Sequence, residues 1–175
     1  MWRRLENAWG PARDVREHQP LMTLDSAPQC AIDSAVRPAR MDELDAYLVA
    51  AIDMFIGEVG VDPRLGDGGR GYRRRVASLI AAGRAWARFE NGVVVFKAEV
   101  GSQSPTVSQI QGVWVHPEWR GRGLGTAGTA TLAAVVVGTG RIASLYVNDF
   151  NTVAKATYDR IGFVEVGTFA TVLLD

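Results

Sequence analysis

From residue 35 onward, apolar and polar positions recur with periods that define elements. Ala35-Val-Arg37 reads as a short strand before Pro38. Leu44, Tyr47, Leu48, Ala51, Ile52 and Phe55 then repeat at helical spacing, with Asp42, Glu43 and Asp45 at the end where the helix dipole favours acids. Residues 57–71 hold six glycines and a proline and read as a loop. Tyr72, Val76, Leu79 and Ile80 predict a shorter helix stopped by Gly83. Residues 85–89 alternate as a strand, Asn91-Gly92 is a hairpin signal, and residues 93–100 and 106–115 supply two more strands. Short turns make these three antiparallel. A helix over 124–137, a strand over 141–147, a helix over 151–161 capped by Asn151 and stopped by Gly162, and one or two strands over 163–174 complete the pattern.

The first 34 residues differ. Arg3, Arg4, Glu6, Arg13, Asp14, Arg16 and Glu17 make them charged, and a brief strand-like run at 20–24 precedes the turn-rich Asp25-Ser-Ala-Pro28. Trp2 and Trp9 are out of place in a solvated tail, so the segment reads as an N-terminal extension or a remnant of an upstream domain. On that reading its removal leaves cofactor binding intact.

Composition narrows the classes. The chain has 175 residues, 47% of them hydrophobic, with nineteen basic and nineteen acidic side chains. That suits one globular domain and excludes disorder. A zero net charge argues against a nucleic-acid partner, which would demand a basic excess. Cys30 is alone, and His18 and His116 lie far apart, so neither an internal disulfide nor a metal site is expected. Together with the absence of a signal peptide or a run long enough to span a bilayer, this predicts a cytoplasmic protein without a membrane partner.

The most informative segment is Val113-Trp-Val-His-Pro-Glu-Trp-Arg-Gly-Arg-Gly-Leu-Gly-Thr126. A strand ends, and a glycine-rich turn with two arginines opens a helix. Amides at a helix start lack intrahelical acceptors and carry the positive end of the dipole, and glycines let an anion approach them. Three readings compete: a phosphate cradle, a packing loop, and a dinucleotide fingerprint formed by Gly123-x-Gly125-x-x-Gly128 with Asp149. The last fits poorly. His116 to Arg120 separate the strand from the glycines, and only 26 residues follow Asp149. No Gly-Lys-Ser/Thr is present for a P-loop.

Arg120-Gly-Arg-Gly-Leu-Gly125 after Val113-Trp-Val115 resembles motif A of the GNAT superfamily, the acyl-CoA-dependent N-acyltransferases. The run Asn151-x-x-Ala154-x-x-x-Tyr158-x-x-x-Gly162-Phe163 resembles a second motif of that family. The resemblance covers about residues 35–175, and is greatest to the C-terminal domain of longer actinobacterial proteins. It implies an α/β (α+β) fold with a mixed, mostly antiparallel sheet of about six to seven strands and about four helices. That sheet would splay between the strand ending at Val115 and the strand ending at Val147.

The resemblance also implies a chemistry: transfer of an acetyl group from acetyl-CoA, as co-substrate, to a primary amine by direct attack. The alternative is a non-catalytic acyl-CoA-binding regulatory module. Pantetheine would pair with Val113, Trp114 and Val115. Pyrophosphate would sit on Arg120, Gly121, Arg122, Gly123, Leu124, Gly125 and Thr126. Asn151 would bond the pantetheine amide, and Tyr158 would be the catalytic acid beside the sulfur. Glu99, Glu58 and a water relay stay open as the base. The acids Glu58, Asp62 and Asp67 would suit a cationic amine. No metal is implied, and the expected partners are a small-molecule or protein amine acceptor and, for assembly, a homodimer.

Overall fold

A computed structural model describes residues 2–174. Its elements in chain order are α1 (Trp2–Trp9), β1 (Asp14–Leu24), β2 (Arg37–Pro38), α2 (Leu44–Val59), α3 (Arg70–Ala81), β3 (Ala85–Glu90), β4 (Val93–Gln103), β5 (Val107–Val115), α4 (Leu124–Gly138), β6 (Ile142–Tyr146), α5 (Thr152–Ile161) and β7 (Val164–Leu173). The seven strands form one sheet in the order β2-β3-β4-β5-β6-β1-β7. Every pairing is antiparallel except β5 with β6.

Local chemistry explains most boundaries. Asn91 and Gly92 take φ of 51° and 79° in the turn between β3 and β4, the doubly left-handed geometry that this pair favours. Asn151 accepts the Ala154 amide at 3.1 Å and starts α5, and Gly162 ends it at φ 106°. The loop expected over 57–71 begins later. Gly57 stays helical, and α2 runs on to Val59 before Gly60 turns left-handed.

Two core layers flank the sheet. Phe96, Ala98 and Val100 of β4 face α4 and α5 and pack with Leu132, Leu145, Ile161 and Phe163. Gly128 of α4 is needed for this approach, since a Cβ there would lie 2.6 Å from the Phe96 ring. The opposite layer joins Tyr47, Ala51, Val76, Leu79, Ile80 and Trp114 beneath α2 and α3.

The N-terminal segment departs most from expectation. The strand-like run at 20–24 is the end of an eleven-residue strand that reaches back to Asp14. It lies between β6 and β7, pairing Leu21 with Tyr146 on one side and with Gly167 on the other. Met22 and Leu24 are buried in the main core. The sheet therefore does not divide at residue 34. Without β1 the edge strand β7 would have no partner in the sheet, because β1 alone joins it to β6 among the described residues.

Candidate functional site

β5 and β6 pair only at their first residues, Val107 to Gln109 against Ile142 to Ser144. Beyond that they diverge, as expected, and a cavity of about 570 Å³ opens between them. Its walls include Gly112, Val113 and Trp114 of β5, Leu145 to Asn148 at the end of β6 and just beyond it, and Asn151 and Tyr158 from the cap and body of α5. Asp53, Met54 and Glu58 approach from α2, and Gln19 from β1.

Backbone alternation decides what β5 offers. The His116 amide donates to the Val95 carbonyl at 3.0 Å, so His116 faces β4. Val115 and Val113 must then turn their polar groups to the other edge, into the gap. The Val115 carbonyl accepts from Arg120 Nε at 3.2 Å. The Trp114 side chain packs beneath α2, edge-on to His116 with centroids 5.8 Å apart.

The glycine loop follows. After a 3₁₀ turn over Pro117–Trp119, Gly121 and Gly123 take φ of 72° and 80°. Gly123 caps α4 without a side chain, and the first turn of α4 holds no acid. The Ala127 amide is spent on the Gly123 carbonyl, but those of Leu124, Gly125 and Thr126 precede the first intrahelical bond. Nothing there neutralises the dipole, so this end of α4 suits an anion. Arg122 lies over the Trp119 ring at 5.2 Å, which keeps a cation beside the loop. Of the residues expected to hold cofactor, Val113, Trp114, Arg120 and Asn151 line the cavity. Gly121 to Thr126 form the adjoining loop and helix start.

Tyr158 reaches the cavity wall from a site that is 7% exposed. Burial, followed by the charge of Glu58, pushes its hydroxyl up to about 12. The group therefore stays protonated at neutral pH and can donate. Asn151 spends its Oδ1 on the α5 cap and keeps its amide NH₂ for a ligand.

The expected acids separate. Glu58 lines the cavity. Asp62 instead pairs with Arg64 at 2.7 Å, and Asp67 accepts the Gly69 and Gly71 amides at 2.8 and 2.7 Å where α3 begins. Glu99 is buried rather than solvent-facing, at 4% exposure. Its Oε1 accepts from Lys97 Nζ at 3.0 Å and from the Tyr47 hydroxyl at 3.4 Å. Burial pulls the Lys97 ammonium down from its ordinary value, and Glu99 opposes that shift.

Sequence reasoning missed Lys97, Gln19 and Asp53. Lys97 carried a signal: a charged pair two residues apart in the near-continuous apolar run Val93-Val-Val-Phe-Lys-Ala-Glu-Val100. Gln19 carried none. It donates to Asn148 Oδ1 at 2.7 Å and accepts from Thr171, tying β1 to the cavity wall.

A family model described as FR47-like protein matches residues 97–172, and one described as a domain of unknown function, DUF4081, matches residues 1–47. No curated protein matches the chain in sequence. Among solved structures, an acetyltransferase ascribed to the GNAT family from Novosphingobium aromaticivorans superposes with a TM-score of 0.65 at 17% identity, covering 93% of this chain and 65% of its own. A GNAT-family acetyltransferase of Colwellia psychrerythraea gives 0.70 at 12% identity, covering 92% and 57%. A predicted acetyltransferase of Clostridium acetobutylicum with acetyl-CoA gives 0.59 at 18% identity, covering 75% and 90%. The chain thus spans 65% and 57% of the length of the first two structures. No helix among the described residues is long and apolar enough to cross a membrane, and no group of three metal-ligating side chains occurs among them. The glycine loop and the splayed strands lie inside the FR47-like match, and the chain shares the fold of these GNAT-family structures.

Proposed function

We propose that the protein is an acyl-CoA-dependent N-acyltransferase that moves an acetyl group from acetyl-CoA to a primary amine. The observation that carries this reading is the divergence of β5 from β6 directly beside an uncapped, acid-free helix start. The gap admits an extended pantetheine arm against Val113 and Val115, and the amides of Leu124 to Thr126 receive the pyrophosphate. The Clostridium acetobutylicum structure, which is with acetyl-CoA, supports the choice of donor.

The amine nitrogen attacks the thioester carbon, a C–N bond forms and the C–S bond breaks. Negative charge develops first on the carbonyl oxygen, where a gap-facing β5 amide stabilises it. It then develops on the sulfur, towards which Tyr158 donates. An acceptor that arrives as an ammonium sheds one proton to solvent before attack, and a second, lost from the adduct, ends on the departing thiolate. Asp53 and Glu58 on the cavity wall favour an acceptor that arrives as a cation, whether a small molecule or a protein amine.

The loop assignment is tested by ligand-induced stabilisation. Acetyl-CoA is expected to raise the melting temperature by binding the native state, and NAD is not. A Gly125→Asp variant should lose the shift, because a carboxylate would face the pyrophosphate. Gly125→Ala should keep it, since a Cβ there meets only Val115 at 3.5 Å. Normal acetyl-CoA stabilisation of Gly125→Asp would show that the anion binds elsewhere.

A further inference from the structure

β5 is interrupted where it lines the gap. Trp114 pairs with Lys97 and Gln111 with Glu99, so Gly112 and Val113 stand opposite the single residue Ala98. This is a bulge, and Gly112 sustains it at φ 60°. A Cβ at Gly112 would come within 3.1 Å of Lys97 Nζ and 3.2 Å of Met54 Sδ. Lys97 is fully buried, an unusual place for an ammonium. Its Nζ reaches the Gly112 carbonyl at 3.0 Å, Glu99 Oε1 at 3.0 Å and Met54 Sδ at 3.3 Å, and lies 5.4 Å from the centre of the Tyr47 ring.

The peptide that follows Gly112 is trans, so its C=O and its N–H point in opposite directions. Lys97 holds that carbonyl beneath α2, and the alternation that sets His116 towards β4 turns the Val113 N–H into the gap. We infer that Lys97 is a positioning residue, which clamps the Gly112 carbonyl so that the Val113 amide stays directed at the acyl carbonyl of the donor. Glu99 and Tyr47 hold the clamp, and Lys97 itself touches no ligand. The inference rests on the acyl-CoA reading and adds to it the side chain that fixes the strand amide.

The test uses acetyl-CoA labelled with ¹³C at the acyl carbonyl, without acceptor. In the wild type, bound label should show its C=O stretch displaced to lower frequency than in solution. Lys97→Met, and Lys97→Met/Glu99→Gln in which both buried charges go together, should return the stretch towards the solution value. Turnover should fall at least about tenfold while the KM for acetyl-CoA stays within about threefold. A second reading needs no variant: the Val113 amide proton should move downfield on adding acetyl-CoA but not on adding CoA, which lacks the carbonyl. A folded variant with the wild-type frequency and turnover, or a Val113 amide that responds equally to both ligands, would overturn the inference. Failure of the wild type to bind acetyl-CoA would overturn the donor reading beneath it, and is told apart by the missing thermal shift.

Discussion

Deletion of residues 1–30 is expected to abolish cooperative folding, and with it any stabilisation by acetyl-CoA. The reason is the place of β1. It fills the slot between β6 and β7, so its loss leaves two strands without their shared neighbour. Met22 and Leu24, 4% and 3% exposed, leave the core with it. Each such side chain is worth about 1.5–3 kcal/mol on burial. Two of them, with backbone pairing lost along both edges, compare with the whole stability of a domain, about 5–15 kcal/mol. Gln19 would also vanish from the cavity wall, freeing Asn148. Circular dichroism during a thermal melt checks this. A truncated chain that melts like the full one and binds acetyl-CoA would show β1 to be dispensable, as its sequence alone suggests.

The second large effect is at Tyr158. Tyr158→Phe keeps the ring and its edge-on contact with Phe163, 6.0 Å between centroids, and removes only the hydroxyl. No side chain among the described residues hydrogen-bonds that hydroxyl, so stability should change by less than about 1 kcal/mol. With a pKa near 12, full transfer of its proton to a thiolate of ordinary basicity, about 8.5, is uphill. Its contribution is then a hydrogen bond that strengthens as charge gathers on sulfur. Removing such a donor should lower turnover by about 10²–10³-fold with acetyl-CoA affinity little changed, measured by steady-state thiol release and calorimetry. Near-normal turnover would leave Tyr158 a packing residue.

What could be read in advance follows from the range of the interactions. Asn91-Gly92, the Asn151 cap and the Gly162 stop are set by neighbours in sequence, and their elements were legible. The glycine loop was legible because its strand, turn and helix are contiguous. β1 was not: its partners lie more than a hundred residues away, and its first half, Asp14-Val-Arg-Glu-His18, is charged and largely exposed. Glu99, like most strand glutamates, pointed to a solvent face by its charge, yet α2 covers that face and Tyr47 closes over Lys97 and Glu99. Gly112 was a lone glycine within a strand, a sign of a bulge. What it served became clear only when β4 brought Lys97 to its carbonyl.

Acyl transfer is tested most directly by a thiol-release assay on the whole 175-residue chain. Acetyl-CoA is supplied with a panel of primary amines, from polyamines and amino acids to peptide N-termini and lysines, and free CoA and acetylated amine are quantified together. At least one amine, cationic in solution, is expected to yield the two products in equal amounts, with no acetyl group left on the protein. A chain that binds acetyl-CoA yet releases no thiol with any amine would contradict it, and would make the same gap the site of an acyl-CoA-binding regulatory module.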